Sequence, residues 1–259
     1  MKFNFKIQQY QTDAVNSTVN VFAGQPYIGR VRYVRDIGIV KKDSQISFNN
    51  AESFVEDAKL GFGNAEIGLK DKDLLKNIKD IQRKNNIKQS SALVEHLGRC
   101  SLDIEMETGT GKTYVYIKTI FEMNKLYGWN KFIVVVPSIA IREGVKKSFE
   151  MTQDHFMEHY GKKARFFIYN SKNLTEIDNY SSNAGINVMI INIQAFNTRG
   201  ADARRIYEKL DEFGSRRPID VIKANNPVVI LDEPQKMGGA ATQTSLKEFN
   251  PLFCLNYSA

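Results

Sequence analysis

Short apolar runs alternate with amphipathic stretches from Leu102 to the end of the chain. The apolar runs have the length of buried strands, and the segments 112–126 and 141–159 between them have apolar positions at helical spacing. The predicted strands are "LDIEM" (102–106), "FIVVV" (132–136), "RFFIY" (165–169), "NVMIIN" (187–192), "VVILD" (228–232) and "LFCLNY" (252–257). Alternation of strand and helix predicts a parallel sheet covered by helices on both faces.

The residues before Leu102 follow a different pattern. Residues 7–24 have apolar positions at helical spacing and stop at Gly24, which predicts a helix. Residues 27–50 alternate like a hairpin, with a turn from Lys41 to Ser44. Residues 51–97 are polar and Lys-rich and are predicted to be helical, most clearly over 70–86.

These patterns divide the chain into three parts. We predict an N-terminal helix region over 1–25, an inserted α+β segment over 26–98 and an α/β core over 99–259. A length of 259 residues suits one large domain or two small ones. No apolar run reaches the roughly 18 residues of a membrane-spanning helix, and the N-terminus does not resemble a secretory signal.

Charge and cysteine content add little. The net charge of +7 permits binding to nucleic acid or another polyanion, but many enzymes are equally basic. Cys100 and Cys254 both stand in apolar surroundings, which predicts buried, reduced thiols and no disulfide. His155 and His159 are one helical turn apart, yet no third ligand accompanies them, so we interpret them as surface residues and not as a metal site.

A glycine-containing loop, "ETGTGKT" (107–113), follows the first core strand and leads into a predicted helix. Gly109 and Gly111 allow a tight bend whose backbone N–H groups point at phosphate oxygens, and the helix start adds its positive dipole. Lys112 is expected to reach the β- and γ-phosphates of ATP, and the Thr113 hydroxyl to bind Mg²⁺. The residues expected to bind the nucleotide are Thr108, Gly109, Thr110, Gly111, Lys112 and Thr113.

An acidic pair, Asp232–Glu233, ends the apolar run 228–232. The carboxyl ends of parallel strands share one edge of the sheet, so this pair is expected beside the phosphate loop. There Asp232 would hold Mg²⁺ through water, and Glu233 would act as general base on the attacking water. Without the phosphate loop, an acidic pair before Pro234 would be typical of a solvated turn.

Three further motifs are similar to those of superfamily 2 nucleic-acid motors. "DEPQ" (232–235) is a variant of their Asp-Glu-x-His/Asp box, and "YSA" (257–259) resembles the start of their Ser-Ala-Thr motif. "QQYQTDAV" (8–15) resembles their adenine-sensing helix, which implies that Gln11 hydrogen-bonds the base. The resemblance implies a RecA-like P-loop NTPase domain, with a mainly parallel sheet flanked by helices.

Taken together, "YQTDAV", "METGTGKT", "VVVPSIAIREGV", "NIQAFN", "LDEPQKMGG" and "YSA" resemble the restriction (Res) subunit of type III restriction-modification enzymes over nearly the whole chain. That family implies an ATP-dependent motor on double-stranded DNA, a nuclease domain, a methyltransferase (Mod) partner and a location in the bacterial cytoplasm. Motifs of a second motor domain and of a nuclease are missing from the chain. We therefore expect the N-terminal motor domain of a longer polypeptide, which hydrolyses ATP poorly on its own because no arginine finger is present.

Two loops at the same predicted sheet edge carry polar side chains suited to DNA phosphates. Ser138 and Arg142 follow one strand, and Gln194 and Asn197 follow another. Backbone amides at a helix start, a hydroxyl and a guanidinium together suit a nucleic-acid phosphate, and such contacts position a protein without reading sequence. Ordinary strand-to-helix turns explain any single one of these residues equally well.

Other function classes stay open on the sequence alone. The same motifs fit a superfamily 2 repair or remodelling helicase without a nuclease. A small-molecule kinase or metabolic NTPase would use the same phosphate loop without acting on DNA, although "YSA" disfavours it. A non-catalytic, nucleotide-dependent scaffold would not need Lys112, Thr113 and the acidic pair together.

Overall fold

The computed structural model describes residues 5–29, 31–38, 59–197 and 204–259. The strands in these ranges are β1 (Val31–Val34), β2 (Leu60–Gly63), β3 (Ser101–Glu105), β4 (Lys131–Val136), β5 (Arg165–Ile168), β6 (Asn187–Asn192), β7 (Val228–Asp232) and β8 (Cys254–Ser258). The α-helices are α1 (Gln9–Asn20), α2 (Asp71–Lys84), α3 (Lys112–Tyr127), α4 (Ile139–Tyr160), α5 (Thr175–Ser182), α6 (Gln194–Asn197), α7 (Pro218–Lys223) and α8 (Ala240–Lys247).

A six-stranded parallel sheet forms the core, in the order β3-β8-β7-β4-β6-β5. Strands β4, β6 and β7 are buried along their whole length, as expected for parallel strands with both faces covered. The six apolar runs of the sequence correspond to these six strands, with ends that differ by at most two residues. The predicted α/β fold is therefore confirmed.

Helices cover both faces because successive strand residues point to opposite sides. On β4, Val134 belongs to the cluster that packs with α1, α3 and α4, whereas Val135 belongs to the cluster that packs with α5, α7 and α8. The two clusters hold the carboxyl ends of the strands, where the loops carry the functional motifs, on a rigid base.

The N-terminal part differs from its prediction. Helix α1 ends at Asn20, and Gly24 (φ +94°) lies in the turn that follows. Strand β1 pairs antiparallel with β2, so its partner lies beyond the predicted hairpin, whose turn at Lys41–Ser44 is outside the described residues. Of residues 59–97, only α2 is helical, and β2 is a strand.

Asn64 fastens the segment after β2 to the core. Its side-chain nitrogen donates to the carbonyls of Lys131 (2.8 Å) and Asn226 (2.9 Å), and its oxygen accepts from the N–H groups of Asn130 and Lys131. Asn64 is buried, and these bonds satisfy backbone groups at the start of β4. The two-stranded β1–β2 sheet is thus attached to the amino ends of the main sheet.

His155 is buried, so its prediction as a surface residue is wrong. Its Nε2 lies 2.9 Å from the Tyr114 hydroxyl, and its ring centroid lies 5.1 Å from that of Phe5. Helical spacing alone does not reveal that this face of α4 packs against α3. His159 is exposed, and the described residues contain no group of three or more potential metal ligands.

Both cysteines are free and buried, as predicted. Burial raises the pKa of the Cys100 thiol to about 12, which keeps it protonated and unreactive. Within the described part of the chain, no helix is both long enough and apolar enough to cross a membrane.

Candidate nucleotide-binding site

The phosphate loop and the acidic pair meet over the end of one strand. β8 lies between β3, which leads into the loop, and β7, which ends at Asp232. The Met106 N–H donates to the Ser258 carbonyl (2.9 Å), and the Glu233 N–H donates to the Tyr257 carbonyl (2.8 Å). Both functional loops are therefore anchored to β8, within "NYSA", by backbone hydrogen bonds.

Two positions in the loop have a left-handed backbone conformation, which favours glycine. Gly111 has φ +88°, and a Cβ there would lie 2.6 Å from the side-chain nitrogen of Gln11. Gly109 has φ +82°, but a Cβ there would meet no atom within 4 Å. The open space at Gly109 suits a loop that wraps around phosphates.

Helix α1 fixes the loop through the carbonyl of Thr110. The Gln11 side-chain nitrogen donates to this oxygen (2.9 Å), and so does the Tyr10 hydroxyl (3.1 Å). The Thr110 hydroxyl donates in turn to the Glu107 carbonyl (2.6 Å). Gln11 thus lies at the nucleotide loop, although its contact with adenine remains a prediction. The role of Tyr10 could not be predicted, because nothing in its local sequence indicates a partner 100 residues away.

Lys112 forms an ion pair with Glu233. Both side chains are mostly buried, with 11% of Lys112 and 13% of Glu233 exposed, so the pair is poorly screened by solvent. The hydrogen bond from Lys112, with a smaller contribution from the Gln235 amide, lowers the pKa of Glu233. This contact brings the two predicted halves of the site together.

Glu233 has a backbone conformation that few non-glycine residues adopt. Its φ is +61° and its ψ +59°, at the junction between β7 and the 3₁₀ turn Pro234–Met237. Such a conformation costs on the order of 1 kcal/mol and is found disproportionately at functional sites. Here it directs the carboxylate towards Lys112.

Asp232 is the more deeply buried member of the acidic pair, with 5% of its surface exposed. Burial, reinforced by the neighbouring Glu233 charge, raises the pKa of its carboxyl to about 6. The Tyr116 hydroxyl donates to its Oδ2 at 3.4 Å. The sequence pattern places Tyr116 in the core but does not indicate this polar contact.

The chemistry of the site fits Mg²⁺ and a nucleoside triphosphate. A carboxylate (Asp232) and a hydroxyl (Thr113) are the hard oxygen donors that Mg²⁺ prefers, directly or through water. Lys112 and the glycine-containing loop supply positive charge and backbone N–H groups for phosphates. Thr108 and Gly109 are exposed at the mouth of the loop.

Three of the four predicted DNA-contact residues lie together. Arg142 donates to the Asn192 side chain (2.9 Å), Asn192 donates to the Gln194 side chain (2.9 Å), and Gln194 donates to the Pro137 carbonyl (3.0 Å). The Ser138 hydroxyl accepts from the Ile141 N–H (3.3 Å) and caps α4. Asn197 ends α6, but its side chain is outside the described residues. The network joins the loops after β4 and β6, and Asn192 is its central residue.

Known proteins match most of this chain. The family model described as "Type III restriction enzyme, res subunit" matches residues 4–259. The Res subunit of the type III restriction-modification enzyme EcoP15I from Escherichia coli is 31% identical over 217 residues, and that of EcoPI from Escherichia phage P1 is 30% identical over 216 residues. Each alignment covers 76% of this chain and 22% of the relative, so the chain spans about a fifth of the length of these relatives. The StyLTI Res subunit from Salmonella typhimurium is 31% identical over 159 residues, which is 53% of this chain and 16% of that protein.

The pKa of Asp232 predicts a pH-dependent effect of Asp232→Asn on stability. The folded-state pKa of about 6 exceeds the ordinary 3.8, so protonated Asp232 stabilises the fold at low pH, and this contribution is lost as pH rises through about 6. Asparagine does not titrate. The free energy of unfolding of the variant should therefore rise relative to wild type by about 1 kcal/mol between pH 5 and pH 8, measured by urea unfolding without metal or nucleotide.

The control is Asp154→Asn, which removes an exposed carboxylate from α4. Its stability relative to wild type should change little over the same pH range. A difference for Asp232→Asn that is independent of pH would contradict the assigned environment of this carboxyl.

Proposed function

Because the chain belongs to the type III restriction enzyme Res subunit family, we propose that it is the ATP-hydrolysing motor domain of a type III restriction endonuclease, acting on double-stranded DNA. The observation that carries the ATPase proposal is the contact between Lys112 and Glu233. It joins a phosphate-binding loop to an acidic pair at the carboxyl edge of a parallel sheet, where ligands of such sheets bind.

Each side chain of the site has a defined role in this proposal. Lys112 leaves Glu233 and binds the β- and γ-phosphates, and the released Glu233 carboxylate accepts a proton from the attacking water. Thr113 and Asp232 would hold Mg²⁺, which would neutralise charge on the phosphate oxygens. The lowered pKa of Glu233 and the raised pKa of Asp232 show that neighbouring carboxylates experience different environments. When Lys112 moves away from Glu233, the pKa of the Glu233 carboxylate would rise, and the carboxylate would be a stronger base for the attacking water.

The DNA part of the proposal depends on the network of Arg142, Asn192 and Gln194. These side chains lie at the same sheet edge as the phosphate loop, so a DNA strand across β4 and β6 would lie near the nucleotide. Ser138 and Asn197 complete the proposed set of phosphate contacts. We further propose that the whole protein works with a methyltransferase (Mod) subunit and carries a nuclease elsewhere in its chain.

The Lys112→Ala variant tests the nucleotide site. Removal of a charge-assisted contact with phosphate should weaken ATP binding by about 10- to 100-fold, measured by titration with a fluorescent ATP analogue and Mg²⁺. Lys125→Ala, which removes an exposed lysine from the same helix, should bind like wild type. Equal affinity of Lys112→Ala and wild type, with thermal unfolding showing both folded, would refute the site.

The Arg142→Ala variant tests the DNA surface. The loss of one phosphate contact should weaken binding to double-stranded DNA of any sequence and reduce the slope of log affinity against log salt by about 1. Lys147→Ala removes an exposed positive charge from the same helix and should leave the slope nearly unchanged. Fluorescence anisotropy at several salt concentrations measures both quantities. Identical slopes for the two variants would argue against a specific phosphate contact at Arg142.

A further inference from the structure

A buried tyrosine contacts one of the groups proposed to hold Mg²⁺. Tyr116 is on α3, one turn after Thr113, and none of its surface is exposed. Its hydroxyl donates to Asp232 Oδ2 at 3.4 Å. This hydrogen bond connects α3 with the end of β7.

The hydroxyl is not needed to fill the core. The Tyr116 ring packs edge-on against Tyr257, with centroids 5.5 Å apart, and phenylalanine would preserve that packing. A buried hydroxyl must find a hydrogen-bond partner or it destabilises the fold. The partner of this hydroxyl is Asp232, so its polar interaction is made with the proposed metal site.

A carboxylate can only accept, so Tyr116 donates to Asp232. Oδ1 of Asp232 forms no hydrogen bond within the described residues. The hydrogen bond thus holds one carboxylate oxygen and leaves the other for the metal or its bound water.

We propose that Tyr116 is a positioning residue that orients Asp232 for Mg²⁺ through its hydroxyl. The inference rests on the proposed nucleotide site and adds a residue to it. Partners of this kind fix the orientation of metal-binding groups, and their removal lowers metal affinity by about 10- to 100-fold. Tyr116 contacts neither nucleotide nor water in this proposal and acts only through Asp232.

The test is Tyr116→Phe, with Tyr180→Phe as the matched control. Tyr180 is equally buried, and its hydroxyl lies at the same distance, 3.4 Å, from its acceptor, the Phe132 carbonyl, on the other face of the sheet. Binding of a fluorescent ATP analogue is measured in EDTA and during a titration with Mg²⁺. For Tyr116→Phe, the Mg²⁺ concentration at half-maximal response should rise about 10-fold or more, while affinity in EDTA stays within about twofold of wild type.

Tyr180→Phe should respond to Mg²⁺ like wild type. An unchanged Mg²⁺ midpoint for Tyr116→Phe, or an equal loss of affinity with and without Mg²⁺, would overturn the positioning role. If wild type itself shows no Mg²⁺-dependent binding, the proposed nucleotide site fails and the inference fails with it. If wild type responds to Mg²⁺ and Tyr116→Phe responds in the same way, the inference about Tyr116 is refuted and the proposed nucleotide site is not.

Discussion

The ion pair of Lys112 and Glu233 is the contact on which the candidate site depends, because it joins two loops from strands that are not neighbours. β8 separates these strands and binds both loops through backbone hydrogen bonds. The positive charge of Lys112 offsets the cost of placing the carboxylates of Asp232 and Glu233 next to each other. Burial raises the pKa of Asp232 to about 6, and Glu233 has a left-handed backbone conformation. Each of these features, taken by itself, lowers the stability of the fold. Such a combination is typical of a site shaped for a charged ligand.

Much of the core could be predicted from the sequence, for a physical reason. Strands of a parallel sheet are buried on both faces, so they appear as continuous apolar runs, and all six runs correspond to strands. The position of the glycine-containing loop between a strand and a helix was also predictable, because an apolar run precedes it and a helical pattern follows it. Its binding of phosphate stays a prediction. The position of the acidic pair was predictable as well, because the pair lies at the end of a buried strand.

Contacts between distant segments could not be predicted. The pairing of β1 with β2 depends on partners some 30 residues apart, and the burial of His155 depends on packing against Tyr114 and Phe5. Tyr10 and Tyr116 carry no local signal for their roles, because an aromatic residue at helical spacing is typical of any core. The end of α1 at Asn20, and not at Gly24, reflects the turn that closes onto Gln25. A local turn sets the end of α1, and in the other cases a tertiary contact decides the structure.

The arrangement also connects the proposed nucleotide and DNA sites through the sheet. β4 pairs with both β6 and β7, so the loop that carries Arg142 lies between the loop of Gln194 and the acidic pair. The side-chain network from Arg142 through Asn192 to Gln194 fixes the segments after β4 and β6 relative to each other. Movement of Glu233 away from Lys112 would occur one strand away from this network. Because β7 and β4 are neighbouring strands, nucleotide binding has a physical route to affect a bound DNA strand.

A crystal structure of the chain with Mg²⁺ and a non-hydrolysable ATP analogue tests the central assignment most directly. In that structure Lys112 Nζ is expected to have left Glu233 and to lie about 3 Å from phosphate oxygens, with Mg²⁺ bound by Thr113 and Asp232. Binding of the nucleotide elsewhere, with the pair of Lys112 and Glu233 intact, would contradict it.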